Sequence, residues 1–169
     1  MTRGAQGGFV SAGHCGTTGD TTTGADRTPR APSRAPASPA TTTPGSPREP
    51  TGPAAPGARR EGHRRRRRDR VAAGPVGSAV CRSGSTSGWH CGTVEQVDAA
   101  VTYPEGAVNG VTRTSVCAEP GDSGGSFLSG DQAQGVTSGG SGDCATGGTT
   151  YFQPVNPILS TYGLTLATG

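Results

Sequence analysis

Short runs of apolar and β-branched residues alternate with turn-forming clusters from Val71 to the end of the chain. The runs cover residues 77–80, 93–97, 133–137 and 149–155, and turn clusters of Gly and Ser, with Asn109, lie between them. Runs of this length, bounded by turn residues, predict the strands of an all-β sandwich or barrel. Residues 157–162 are predicted to form a short helix near the C-terminus.

The N-terminal part of the chain has a different pattern. Residues 8–12 read as one strand, but residues 11–70 contain no Val, Ile, Leu, Met, Phe, Trp or Tyr. Ordering the backbone costs about 1–2 kcal/mol per residue, and such a composition cannot offset that cost by burial. Nine of the 14 prolines lie in residues 27–70. The chain is therefore divided into a fragment at 1–24, a disordered Arg/Pro/Ala-rich segment at 25–70, and a β domain at 71–169.

Composition and charge narrow the class of protein. The 169 residues include 30 Gly and 14 Pro, which disfavour helix interiors. No apolar run approaches the roughly 20 residues of a membrane-spanning helix, so none is predicted. The net charge of +3 is uneven, because 12 of the 15 basic residues, all of them Arg, lie in residues 27–70.

Residues 121–125, Gly-Asp-Ser-Gly-Gly, are the strongest chemical signal in the chain. A nucleophilic serine needs an exposed hydroxyl on a tight turn, with backbone N–H groups directed at the oxyanion that develops. Ser123 is the candidate nucleophile, and the N–H groups of Gly121 and Ser123 are the candidate oxyanion donors. The five residues alone would also fit an ordinary surface turn.

His14 is the candidate general base. An unperturbed histidine has a pKa near 6.5, which suits proton transfer at neutral pH. His14 lies in an Ala-Gly-His-Cys segment directly after an apolar stretch, although a lone histidine is more often structural or exposed. His90 beside Trp89 is read as a structural residue, and His63 inside the arginine run as a solvated one.

Four segments together resemble the bacterial chymotrypsin-like proteases of the streptogrisin/α-lytic group, within the trypsin-like serine peptidases. They are residues 7–15 (GGFVSAGHC), 77–92 (GSAVCRSGSTSGWHCG), 117–125 (CAEPGDSGG) and 137–155 (TSGGSG, then GGTTYFQPV from 147). The resemblance covers about residues 1–24 and 71–169, with the motifs in family order. It implies two six-stranded antiparallel β-barrels with the active site between them, the first barrel being incomplete in this chain.

The resemblance also implies a mechanism. Ser123 would attack the scissile carbonyl while His14 takes its proton and returns it to the leaving amine. The N–H groups of Gly121 and Ser123 would hold the tetrahedral intermediate. Polypeptides are the implied substrates, neither a cofactor nor a metal is expected, and a secreted monomer is implied.

Two short segments would form the primary specificity pocket by the same resemblance. One wall would be the edge segment that pairs with the substrate backbone, and another would precede the nucleophile. The residues are Ser138, Gly139 and Gly140 on the first wall and Ala118, Glu119 and Pro120 on the second. Because this lining is small and mostly uncharged, a large apolar substrate side chain is expected.

The resemblance assigns a buried ion pair and a set of disulfides. Asp122 beside the nucleophile would pair with Arg82, since a buried charge without a partner is costly. Two bridges are implied, Cys81 with Cys91 and Cys117 with Cys144, which requires an oxidising compartment. Cys15 is left unpaired.

The middle of the chain departs from the family. The triad Asp is expected about 30 residues after the base, where residues 40–45 read Ala-Thr-Thr-Thr-Pro-Gly. Asp20, Asp26 and Asp69 lie in the wrong context and are not assigned. Without the Asp, turnover falls by about 10⁴, so negligible peptidase activity is predicted for the chain as written.

A reading-frame error would explain this departure. The codons of residues 40–45 are compatible with Asn-Asp-Tyr-Ala-Trp when shifted by two bases, which is the family's pattern. The first four residues likewise resemble an internal Val-Thr-Arg-Gly of the family. A truncated and frameshifted family member, with its signal segment and first strands outside the sequence, is therefore hypothesised.

Two other functions stay open. The cluster at residues 63–68, one His and five Arg, would attract phosphate and suits a nucleic-acid-binding protein, although no aromatic residues are interleaved with it. A catalytically dead protease-like binding domain would share the fold without turnover. The protease interpretation expects no nucleic-acid or membrane partner.

Overall fold

The computed structural model describes residues 1–3, 6–23, 28–32, 71–104 and 106–167. The strands in these ranges are β1 (Thr2–Arg3), β2 (Gln6–Gly7), β3 (Thr21–Thr23), β4 (Pro29–Pro32), β5 (Ala79–Gly84), β6 (Gly88–Tyr103), β7 (Gly106–Thr114), β8 (Ser126–Ser129), β9 (Gln132–Asp143) and β10 (Gly147–Pro154). A 3₁₀ turn covers Gly13–Cys15, and one helix, α1, covers Val155–Tyr162. No helix in these ranges is long and apolar enough to cross a membrane.

Strands β5 to β10 close into one antiparallel barrel. Its strand order is β10-β7-β6-β5-β8-β9, while β1 with β2 and β3 with β4 form two separate two-stranded sheets. The all-β fold class predicted from the sequence is confirmed. Among the described N-terminal residues, the two small sheets are the only paired strands, and they do not close into a barrel.

The interior of the barrel is filled by five apolar side chains. They are Val80, Val94, Val116, Phe127 and Phe152. The rings of the two phenylalanines stack with their centroids 4.6 Å apart. Removing such side chains from water is the main favourable contribution to folding. This core therefore stabilises the strands that flank the nucleophile loop.

Irregular pairing bends the longest strand around the barrel. β6 has 16 residues, and its register with β7 shifts at three points. Asp98 lies there with φ of +53°, a left-handed conformation that a non-glycine residue rarely adopts. Bulges of this kind increase twist and curvature, which a closed barrel requires.

The N-terminal segment is attached to the barrel by one buried valine. Val10 packs against Val136 of β9 and Ile158 of α1. The predicted strand at 8–12 is wrong, because only Phe9 forms an isolated bridge and the neighbouring residues have no continuous ladder. Val10 is buried against α1 and β9, and this contact holds in place a segment that has no continuous ladder.

The predicted helix is present and begins two residues earlier than expected. Pro157 is its third residue, a position whose N–H has no intrahelical acceptor, so the proline costs little there. The helix ends at Gly163, whose left-handed φ of +59° lets its N–H bond back to Ser160 O at 3.4 Å.

The predicted strands at 93–97 and 133–137 lie within β6 and β9, and those at 77–80 and 149–155 overlap β5 and β10, whereas β7 and β8 were not predicted. Most of the segment predicted to be disordered, residues 33–70 with the arginine cluster, lies outside the described residues. Its described part differs from the prediction, because Pro29–Pro32 pairs with Thr21–Thr23. Antiparallel backbone pairing with residues 21–23 orders these few residues.

Candidate active site

Ser123 lies in a tight double turn between β7 and β8. The Asp122 N–H donates to Glu119 O at 3.0 Å, and the Gly125 N–H donates to Asp122 O at 3.1 Å. The loop is also fastened to β9, because the Gly124 N–H donates to Thr137 O at 3.0 Å. Ser123 therefore stands on a backbone that is fixed on both sides.

The glycines of this loop are required by its geometry. Gly121 and Gly124 have φ of +98° and +83°, in the region that favours glycine. A Cβ at Gly124 would collide with Ser11 Oγ, and one at Gly125 would collide with Ser83 O. The glycines of the Gly-Asp-Ser-Gly-Gly sequence are thus required by backbone conformation and close packing.

The segment that carries His14 lies directly on the nucleophile loop. The Cys15 Sγ donates a weak hydrogen bond to Ser123 O at 3.5 Å, and Ser11 packs against Gly124. The 3₁₀ turn holds this geometry, because the Cys15 N–H donates to Ala12 O at 3.1 Å. Two motifs separated by 108 positions in the sequence are thereby brought into contact.

The two candidate oxyanion donors are available. In the described part of the chain, the N–H groups of Gly121 and Ser123 bond to no protein acceptor. The flanking N–H groups, on Asp122 and Gly124, are both engaged in the turn. This alternation leaves two N–H groups of the loop available to an external acceptor, as an oxyanion hole requires.

Asp122 and Arg82 form a fully buried ion pair. The Arg82 Nη2 lies 3.0 Å from Asp122 Oδ2, and both side chains are 0% exposed. Arg82 also donates through Nε and Nη2 to Cys117 O, at 3.1 and 2.9 Å. A Cβ at Gly84 would collide with both charged groups, so this glycine makes room for the pair. The sequence-derived partnership is present at the base of the nucleophile loop.

The carboxylate of Asp122 receives hydrogen bonds on both oxygens. The N–H groups of Thr86 and Ser87 donate to Oδ1 at 2.9 and 3.1 Å. The Ser87 hydroxyl and the Glu119 N–H donate to Oδ2 at 2.5 and 2.8 Å. Burial by itself would raise the pKa of Asp122, but these hydrogen bonds outweigh it and hold the pKa well below its ordinary value.

A pH-dependent stability follows from this low pKa. An unfolded aspartic acid titrates near pH 3.9, so the ionised Asp122 stabilises the fold fully above about pH 4. That contribution is lost as the pH falls from about 4 through the lower folded pKa. We expect the urea unfolding midpoint to decrease steadily below pH 4, more steeply than in Asp122→Asn. An exposed control, Asp131→Asn, should retain the wild-type profile. Identical profiles for wild type and Asp122→Asn would contradict this origin of the acid sensitivity.

The two proposed pocket walls belong to β9 and to the segment that precedes the nucleophile. Ser138, Gly139 and Gly140 lie on β9, where the pairing with β10 is interrupted at Ser138. A Cβ at Gly139 would approach the Tyr103 ring to 2.8 Å, so the glycine lets this ring pack closely against the strand. Burial raises the pKa of Tyr103, and its phenol is therefore neutral at ordinary pH.

The second wall follows a disulfide. Cys117–Cys144 joins the start of the nucleophile segment to the chain after β9, with Cα atoms 5.0 Å apart. Ala118, Glu119 and Pro120 fill the interval between this bridge and Gly121. The Glu119 carboxylate accepts from the Cys144 N–H at 2.9 Å, which holds this acidic group beside the bridge.

The structure contains both implied disulfides. Cys81–Cys91 links β5 to β6, with Cα atoms 4.0 Å apart, in addition to Cys117–Cys144. Cys15 is free and exposed. The ring of His90 lies beside Cys117 and Cys144, but their sulfurs are bonded to each other and supply no thiolate for a metal. The His90 Nε2 is 3.0 Å from Ser87 O.

Sequence reasoning missed several residues that support the site. They are Thr86 and Ser87 around Asp122, Thr137 below Gly125, and Tyr103 against Gly139. The run of hydroxyl residues 85–87, shortly after Arg82, could have predicted a carboxylate-binding turn, because such residues and their backbone N–H groups bind carboxylates. The other two come from strands distant in the sequence.

Comparisons with known proteins agree with this geometry. A family model described as Trypsin matches residues 63–161. Streptogrisin-C of Streptomyces griseus is 55% identical over 172 residues, which cover 99% of this chain and 37% of that protein. The chain thus spans a little over a third of that relative.

Two solved structures share the fold along nearly the whole chain. The Nocardiopsis protease NAPase has a TM-score of 0.83 and 44% identity, covering 99% of this chain and 89% of its own. Cellulomonas bogoriensis chymotrypsin has a TM-score of 0.77 and 50% identity, covering 96% and 87%.

Proposed function

Because this chain belongs to the trypsin family of serine proteases, alongside the bacterial streptogrisins, we propose that it carries the chemistry of a serine endopeptidase. The observation that supports this most strongly is the contact between the His14 segment and the Ser123 loop. A proton acceptor and a hydroxyl placed on adjoining turns are the minimum for general-base activation of a nucleophile. Free backbone donors on the same loop supply the second requirement.

The reaction proceeds through an acyl-enzyme. The Ser123 Oγ attacks the carbonyl carbon of the scissile peptide bond while His14 accepts its proton. The carbonyl oxygen becomes negative and is held by the N–H groups of Gly121 and Ser123. His14 then protonates the leaving amine, the C–N bond breaks, and water repeats the sequence on the ester.

The substrate is a polypeptide with a large apolar residue before the cleaved bond. Glycines 139 and 140 add no side chain to one wall, and Ala118 and Pro120 are small or rigid on the other. Glu119, fixed at the Cys144 N–H, adds a negative charge that repels an acidic substrate side chain. One solved relative, 32% identical, is described as a glutamic-acid-specific serine protease. The charge on Glu119 argues against that preference here.

Peptidyl diphenyl phosphonates test this preference even where turnover is slow, because they label the serine covalently. A probe with Phe at the position before the phosphonate should modify Ser123 roughly 10–200-fold faster than the matching Glu probe. Intact mass and peptide mapping measure the rate and the site. A faster rate with the Glu probe would refute the apolar pocket. The same comparison in Glu119→Gln measures how much of the rate difference between the two probes is due to the charge of Glu119.

Turnover of the chain as written is proposed to be low. The position where the family places its triad Asp holds no carboxylate in residues 40–45. Catalysis without the Asp falls by about 10⁴ but retains the contribution of the oxyanion hole. Hydrolysis of a Phe or Leu peptide amide at rates typical of a complete triad would contradict this.

The family context also supports secretion and a monomer, and two extracellular-type disulfides are in keeping with an oxidising compartment. A binding domain without turnover is the second candidate, and it is favoured by the missing carboxylate. Covalent labelling separates the two, because a dead domain would leave Ser123 unmodified. The nucleic-acid alternative depends on residues 63–68, which lie outside the described residues.

A further inference from the structure

We infer that Thr86 is a positioning residue for the oxyanion hole, whose hydroxyl sets the orientation of the peptide unit between Pro120 and Gly121. The inference rests on the proposed function, because the N–H of that unit belongs to Gly121, one of the two proposed oxyanion donors. It assigns a role in the reaction to an exposed side chain that is distant from the nucleophile in sequence.

The argument begins with the planarity of the peptide bond. The Thr86 Oγ1 donates to Pro120 O at 2.8 Å. In a trans peptide the C=O and the following N–H point in opposite directions, and the described chain has no cis peptide. Holding the carbonyl of Pro120 toward Thr86 therefore directs the N–H of Gly121 to the opposite side, away from the 85–87 turn.

The next peptide unit has a different set of restraints. Between Gly121 and Asp122, the carbonyl accepts from Ser85 Oγ at 2.6 Å and the N–H donates to Glu119 O at 3.0 Å. That unit is fixed at both ends. The Pro120–Gly121 unit is held at its carbonyl alone among the described residues, so the Thr86 hydroxyl is decisive for its orientation.

Glycine at position 121 makes this restraint necessary. Its φ of +98° lies in a region where glycine alone moves freely, so the preceding peptide has a low barrier to reorientation. A Cβ at Gly121 would come within 2.5 Å of Thr86 Oγ1, which shows how closely the two pack. Gly121 supplies the accessible N–H but is conformationally flexible. The hydrogen bond from the Thr86 hydroxyl to Pro120 O restrains the peptide unit that carries this N–H.

The turn that presents Thr86 is itself anchored to the buried charge. The Thr86 N–H donates to Asp122 Oδ1, and the next residue, Ser87, donates to both carboxylate oxygens. The carboxylate thus fixes the backbone of Thr86, and the side chain of Thr86 fixes the oxyanion loop. The Thr86 hydroxyl thereby connects the ion pair to the peptide unit that carries the Gly121 N–H.

A comparison of four proteins tests the inference: wild type, Thr86→Val, Thr86→Ser and Ser85→Ala. Valine keeps the shape of threonine and removes the hydroxyl, while serine retains it. The rate of Ser123 labelling by a fluorophosphonate is measured, because its phosphoryl oxygen occupies the oxyanion site. Thr86→Val should slow labelling at least about tenfold, part of the 10²–10³ that loss of a whole donor costs. Thr86→Ser and Ser85→Ala should stay within about threefold of wild type.

Denaturant unfolding of the same proteins provides the second readout. All four should share their unfolding midpoint, because residues 85 and 86 are exposed and their hydroxyls can bond water instead. Equal labelling of Thr86→Val and wild type would overturn the inference while leaving the proposed function intact. Equal losses in Thr86→Val and Ser85→Ala, with a lowered midpoint, would also overturn it in favour of general loop stability. Wild-type protein that is not labelled at Ser123 would overturn the proposed function as well.

Discussion

Replacing Arg82 by methionine is expected to lower the free energy of unfolding by about 3 kcal/mol. Removing one partner of a buried pair leaves the other charge uncompensated, which costs about 3–5 kcal/mol. The lower end applies here, because Asp122 retains four hydrogen bonds from neighbouring N–H and O–H groups. Cys117 O loses both of its donors at the same time. Urea unfolding followed by fluorescence measures the change.

A surface ion pair in the same barrel provides the matched control. Arg113 lies 3.2 Å from Glu95, with 43% and 36% of the two side chains exposed. Arg113→Met should cost less than about 1 kcal/mol, as is usual for exposed pairs. The double variant Arg82→Met/Asp122→Asn should be more stable than the sum of the single losses predicts, because the stranded charge is gone. Equal losses for the two arginine variants would contradict the buried-pair interpretation.

Replacing His14 by alanine is expected to slow covalent labelling of Ser123 by about 10²–10⁴, the contribution of a positioned general base. The stability should change little, since His14 is exposed on the 3₁₀ turn. Fluorophosphonate labelling at neutral pH, followed by intact mass, gives the rate.

His90→Gln is the control for the loss of an imidazole. His90 lies beside the Cys117–Cys144 bridge and contacts Ser87 O, so its loss should leave the labelling rate within about threefold of wild type. A His14→Ala protein that is labelled as fast as wild type would remove His14 from the mechanism, whatever its place in the sequence.

The strands that the sequence predicted are those with a strong local pattern. β9 contains the pair Val136–Thr137 and β10 the run Thr-Thr-Tyr-Phe at 149–152, whereas β8 is four residues long and follows the nucleophile turn directly. β7 is interrupted by Gly110 at φ of +72°, so its pattern is weak. Both missed strands are ordered by barrel closure, which is a tertiary effect that a local window does not contain.

The candidate site divides in the same way. Ser123, Gly121 and Arg82 were identified because their local segments resemble a known family. The hydrogen bond from Thr86 to the Pro120 carbonyl was not predictable, because it depends on the packing of two loops that are 34 residues apart in the sequence. The prediction of a strand at residues 8–12 was wrong for a related reason. Val10 is buried by packing against β9 and α1, which lie far away in the sequence, and not within a continuous ladder.

The 108-residue separation between the two motifs is bridged by packing rather than by local structure. Val10 fixes one end of the His14 segment on the barrel, and Ser11 against Gly124 fixes it on the nucleophile loop. Both contacts lie among residues 10–15 and the barrel, and neither involves residues 40–45. The contact between the His14 segment and the Ser123 loop is therefore independent of the part of the sequence that departs from the family pattern.

The most direct test is whether the Ser123 hydroxyl is activated in the folded protein. Wild-type protein is incubated with a fluorophosphonate, and the modified residue is identified by peptide mapping. The account predicts one adduct per chain, on Ser123, absent from Ser123→Ala and from urea-unfolded protein. A folded wild-type protein that stays unmodified, or that is modified equally when unfolded, would contradict it.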